Sequence, residues 1–170
     1  MRFLFRAIVA TVAMAALPLM AEAGPERVAF PVGYSADFIL YAKIDQAKKK
    51  RIRFMYSNRK VGPDGAMPDG SVVIMEDHEA ALAEDGTPKT AADGRLIATE
   101  KIRNIFVMEK RAGWGDAYPE ATRNGDWEYA WFQADGAVKP GKTMEKCFAC
   151  HKKQAAQDYM FTNEMLAKAQ

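Results

Sequence analysis

Between Arg51 and Asn58 the chain reads RIRFMYSN, so that Ile52, Phe54 and Tyr56 alternate with Arg51, Arg53, Met55 and Ser57. A period of two marks a half-buried strand, because successive side chains leave a strand on opposite faces. Four more segments read as strands, rich in branched and aromatic residues: DFILYAKID (37–45), SVVIME (71–76), LIATEKIRNIFVMEKR (96–111) and DWEYAWFQA (126–134). Dense turn chemistry in VGPDGAMPDG (61–70) delivers the chain into the third of them. The acidic, small-residue segment from Asp77 to Arg95 reads as an excursion, a short helix from Glu79 followed by loop. Only past DGAVKPG does helical patterning begin. Thr143 is placed to cap a first helix, and a second amphipathic stretch runs from Asp158 to Ala169. The pattern predicts a β-rich domain closing in helices, with no repeat or linker to mark a second one.

The first residues do not belong to this pattern. MRFLFRAIVATVAMAALPLMAEAG carries Arg2 and Arg6, runs apolar from Ala7 to Met20, and ends on Ala21-Glu22-Ala23. A charged start, a short apolar run and a small-x-small terminus describe a secretory signal peptide. A membrane anchor needs roughly 20 apolar residues, and Pro18 interrupts this run before that length. The expected domains are therefore a signal peptide at 1–23 and one domain at 24–170, exported to the periplasm and with no membrane span after cleavage.

Charge excludes one class of partner. A formal net charge of +2 is too weak to suggest nucleic acid. The basic run KKKRIR (48–53) has no interleaved aromatic residues for base stacking and reads as a solvated loop.

The chemistry is concentrated in EKCFACHKK (145–153), which holds both cysteines and one of the two histidines. In an exported protein two cysteines suggest a disulfide, but that leaves His151 unexplained. A redox dithiol belongs with alternating strands and helices, and a zinc site needs four ligands, for which only His78 or a carboxylate is available. Cys147-x-x-Cys150-His151 is the attachment signature of a c-type haem. One helical turn presents both thiols to the two vinyl groups on one edge of the porphyrin, and His151 supplies iron with an imidazole nitrogen. One motif means one covalently attached haem c.

The chain from about Val28 to Ala167 resembles the cytochrome P460 family and the related cytochromes c′-beta. The resemblance is carried by PDGSVVIMED, VMEKR, GDWEYAWFQADG and the terminal CFACH. It implies an α+β fold, predominantly antiparallel β-sheet with flanking helices, the haem-binding helix near the C-terminus, and a homodimer. It also implies a five-coordinate haem. P460 members oxidise hydroxylamine and convert nitrogen oxides, passing electrons to a periplasmic cytochrome; c′-beta members bind nitric oxide or carbon monoxide without turnover.

An open iron face separates both activities from plain electron transfer. The ten methionines are scattered along the strands as core filling, and His78, in MEDHEA, reads as a surface residue. On the strand DWEYAWFQA, Glu128, Ala130 and Phe132 point opposite to Trp127, Tyr129 and Trp131. The resemblance implies that Glu128 stands over iron as a distal carboxylate able to accept protons from hydroxylamine. The alternative is an ion pair with an arginine at the sheet edge. Arg53 falls where the family's third haem link, from a lysine, is expected, and a guanidinium is a poor nucleophile. Lys48, Lys49 and Lys50 are the nearby substitutes. An apolar cap of the c′-beta kind has Phe38, Phe54 and Phe132 to draw on.

Overall fold

The structure, a computed structural model, describes residues 23–169; the rest of the expected signal peptide lies outside the described residues. A short helix α1 (Tyr34–Asp37) leads into five strands, β1 (Ile39–Gln46), β2 (Arg51–Ser57), β3 (Val72–Ala80), β4 (Ala98–Lys110) and β5 (Trp127–Phe132). They form one antiparallel sheet in the order of the chain, β1-β2-β3-β4-β5. Helix α2 (Glu145–His151), a 3-10 segment (Lys152–Gln157) and helix α3 (Asn163–Lys168) follow. The α+β class holds, with the sheet dominant.

Alternation gives each face of the sheet its own core. On the back face Tyr56, Ile74, Ile105, Val107, Ala130 and Phe132 pack with Val28 and Tyr34 from the N-terminal segment. On the front face Val73, Met108, Trp127 and Tyr129 pack with Phe148 of α2, Met160 and Leu166. Trp127 and Leu166 are both fully buried. The two layers fix where chemistry can occur, since α2 covers only the front.

Two expected elements differ. No helix starts at Glu79; β3 runs on to Ala80. Its charges are met across the sheet, Asp77 by Arg51 and Arg53, and Glu79 by Lys101 and Arg103. Paired in this way, an acidic run that reads as a turn becomes strand. Thr143 does not cap α2: the cap position is Met144, and no side chain bonds the free amides there. Among the described residues no helix is long and apolar enough to cross a membrane.

Candidate functional site

Cys147, Cys150 and His151 lie three and four residues apart on α2, a spacing that puts them on one helical face. That face closes a cavity of about 500 Å³ against the front of the sheet. The cavity floor comes from alternate strand residues: Arg53 and Met55, Val73 and Met75, Phe106 and Met108, and Tyr129. Met160, Phe161 and Thr162 complete the wall.

His151 is oriented by the chain that follows it. Its Nδ1 lies 2.7 Å from the carbonyl oxygen of Tyr159. With the proton on Nδ1 donated there, Nε2 keeps its lone pair for a metal. The ring packs against Tyr129 and Phe161, at centroid distances of 4.9 and 5.1 Å. Burial lowers the imidazole's affinity for a proton, which favours the neutral, ligating form. Burial also raises the Cys147 thiol.

The Tyr159 carbonyl is aimed by a left-handed turn. Asp158 and Tyr159 have φ of 50° and 61°, a region that non-glycine residues enter only at a cost of about 1–3 kcal/mol. Asp158 secures the turn by accepting from the Lys110 ammonium at 2.9 Å and from the Met67 backbone at 2.7 Å. Fully buried Asn124 ties the sheet to α2, its amide donating to the Tyr129 hydroxyl at 3.0 Å and to the Phe148 carbonyl at 2.9 Å. Burial holds the Tyr129 phenol well above its ordinary range, so it keeps its proton.

Four of the residues singled out from sequence meet at this cavity: Cys147, Cys150, His151 and Arg53. Glu128 and Phe132 do not. The division of β5 into two sets of side chains is as expected, but α2 packs on the set of Trp127, Tyr129 and Trp131. Glu128 therefore sits on the far side of the sheet from the cysteines. It is fully buried, and its partners are the Tyr118 hydroxyl and the backbone amides of Gly24 and Tyr129. No arginine is among its ion-pair partners in the described residues, so the edge-pair alternative fails as well. Phe132, with Phe38 and Phe54, belongs to the back core; Phe106 and Phe161 are the phenylalanines of the cavity.

His78 is not a surface residue. It bonds the Glu76 carboxylate through Nε2 and the Thr99 carbonyl through Nδ1, and its ring stacks on Phe54. Lys48, Lys49 and Lys50 occupy the exposed turn between β1 and β2, outside the cavity lining. Arg53 reaches the lining and donates from Nε to Asp77 at 2.8 Å. The sequence gives Tyr129, Asn124 and Asp158 no site role of their own. Tyr129 was legible as the partner face of Glu128, whereas two polar loop residues carry no local signal.

A haem fits these residues. The volume is typical of cofactor pockets, roughly 300–1,000 Å³, the floor is apolar apart from Arg53, and two thiols and an oriented imidazole line one wall. A β-sheet with such a cavity, closed by a Cys-x-x-Cys-His helix, defines a c-type cytochrome of β-rich build. The family model for cytochrome P460 matches residues 31–162, nearly the whole described chain, and the protein belongs to the cytochrome P460 family. A haem c cofactor comes with that membership. No curated protein matches the chain.

Proposed function

We propose that the protein is exported to the periplasm, holds one haem through thioethers to Cys147 and Cys150 with His151 as its protein ligand, and binds nitric oxide on the open face of the iron. When bound, the haem supplies an iron centre with redox chemistry and a coordination position for a small molecule. The observation that supports gas binding over turnover is the cavity lining: mostly methionines, valines and aromatic residues, with Gln46, Arg53, Lys146 and Thr162 at its polar edges and no carboxylate among the described residues that form it. A neutral diatomic ligand needs exclusion of water and room, both of which an apolar floor provides. Oxidation of hydroxylamine requires an acceptor for its protons, and Glu128 is on the wrong side of the sheet for that role.

Hydroxylamine oxidation is the second reading. It is favoured by family membership and by one polar corner of the cavity, where Gln46 and Arg53 stand in front of the buried Asp77. Export is supported by Arg2, Arg6, the apolar run and the Ala21-Glu22-Ala23 terminus. A homodimer and a periplasmic cytochrome as electron partner belong to the proposal on the family's pattern.

The test is spectroscopic. The purified protein should be five-coordinate and high-spin at rest, and nitric oxide should shift its spectrum in the ferrous state. A six-coordinate low-spin resting spectrum indifferent to nitric oxide would indicate an electron carrier. Steady oxidation of hydroxylamine with an artificial acceptor would move the assignment to the second reading.

A further inference from the structure

Glu128 is a fully buried carboxylate for which neither reading of the haem site has a use. Its donors are uncharged: the Tyr118 hydroxyl, the Gly24 amide at 3.2 Å and its own neighbour's amide, that of Tyr129, at 3.0 Å. Burial first, and then the hydrogen bond to Glu128, hold the Tyr118 phenol well above its ordinary value, so it donates as a neutral group. Across the strand pair, Glu128 lies directly opposite Glu109, a like-charge register that destabilises a sheet. Glu109 has Arg111 as its cation, Nε to Oε1 at 2.7 Å. Among the ion pairs of the described residues none serves Glu128. A buried carboxylate without a cation is costly.

A second carboxylate, that of Glu26, crowds the Cα of Gly24. A Cβ placed on Gly24 would lie 2.8 Å from both carboxylate oxygens of Glu26. One neutral peptide N–H, 3.2 Å from Glu128, leaves that carboxylate's charge unmet. An ammonium at the same position, with three hydrogens and a positive charge, would meet it, with the Glu26 carboxylate close by. Gly24 is also the residue that cleavage after Ala23 would leave first in the chain.

We propose that removal of the leader creates the missing cation: the new amino terminus of Gly24 pairs with buried Glu128 and locks the N-terminal segment onto β5. The inference rests on the export reading. Hydrolysis by a leader endopeptidase adds one water across the Ala23–Gly24 peptide bond, leaving a carboxylate on Ala23 and an ammonium on Gly24. In the precursor this nitrogen is neutral and Glu128 has no ion-pair partner among the described residues; in the processed chain the charge is met. The lock reaches the haem cavity in two ways. Tyr129, the next residue of β5, lines it, and the Tyr118 ring packs 4.7 Å from that of Phe148 on α2. Arg27 is close enough for its charge to act on Tyr118 and donates to the Trp114 carbonyl at 3.1 Å. The charged and titratable groups around the new terminus and its partner are thus Glu128, Glu26, Tyr118 and Arg27, with Glu109 and its Arg111 across the strand pair.

The test uses haem-loaded protein recovered from the periplasm. Intact mass first establishes the terminus. Reductive ¹³C-methylation, which keeps the amine's charge, then reports its titration by NMR. The expected result is a Gly24 amine that titrates above the ordinary α-amino range of about 7.7–8.0 and returns to that range in Glu128→Gln. A second variant carries one alanine inserted before Gly24, so that the amine is displaced after processing. It should lower the melting temperature as Glu128→Gln does, and the two changes combined should cost no more than either alone. A terminus other than Gly24 overturns the export reading and the lock together. A Gly24 terminus with ordinary titration, or additive losses from the two variants, overturns the lock alone.

Discussion

The carbonyl oxygen of Tyr159 lies 2.7 Å from Nδ1 of His151, and it is a left-handed turn anchored by Asp158 that puts it there. A hydrogen bond to the far nitrogen of a ligating imidazole raises its basicity. Asp158→Ala releases the turn from Lys110 and Met67. The expected outcomes are a loss of about 3 kcal/mol in denaturant unfolding, since a largely buried ion pair is broken, and a rise in the midpoint potential as the imidazole becomes a weaker donor. Spectroelectrochemical titration separates this from a stability effect alone: an unchanged potential would reduce Asp158 to a structural role.

Asp77 offers a matched test at the other end of the cavity. Its side chain is wholly buried, while Arg51 and Arg53, which it holds, are 15% and 24% exposed. Asp77→Asn leaves two guanidinium groups without their counter-charge and should cost about 3 kcal/mol in the same unfolding measurement. Ligand affinity should change too, because Arg53 lines the cavity. A loss in stability with nitric oxide affinity intact would show that Arg53 is a wall and not a contact.

How far the sequence could be read follows from which signals are local. Strand alternation is local, so the two faces of β5 and of β2 were legible in DWEYAWFQA and RIRFMYSN. The choice of which face receives the haem helix is not local. It depends on where the loop of 133–144 carries the chain, and for that reason alternation alone cannot put Glu128 on the haem side or off it. Paired charges mislead in the same way. Asp77 and Glu79 read as turn chemistry because their arginine partners stand on other strands, and His78 looked exposed because Glu76 and Phe54 meet it only in the folded sheet. The Cys-x-x-Cys-His spacing needed no tertiary information, since three residues of one helical turn carry it.

The residues at the cavity argue against a third haem link from β2. Arg53 cannot deliver an amine, Lys48, Lys49 and Lys50 lie outside the cavity lining, and Lys146, which does line it, adjoins Cys147 on α2. After proteolysis, mass spectrometry should therefore find haem on a single peptide spanning Cys147 to His151. A second haem-bearing peptide from β2 or the turn before it would contradict this. Cys147→Ala combined with Cys150→Ala should leave no haem after denaturing electrophoresis.

His78 gives the back of the sheet a dependence on pH. Its hydrogen bond to Glu76 raises its proton affinity, against the opposing effect of burial, with the Thr99 carbonyl assisting and the Lys43 ammonium working weakly the other way. Glu76 is shared with the Tyr34 hydroxyl, so the imidazolium joins the N-terminal helix to β3 through one carboxylate. A histidine whose folded value is raised stabilises the fold most when it is protonated. The contribution is complete below the unfolded value of about 6.5 and is lost as pH rises through the higher folded value. Melting temperature measured from acid to mildly alkaline pH should fall across that window in the native protein. His78→Gln keeps a donor for Glu76 but cannot titrate, and should flatten the fall. If the slope persists in His78→Gln, the pH dependence belongs to another group and the Glu76–His78 pair is only structural.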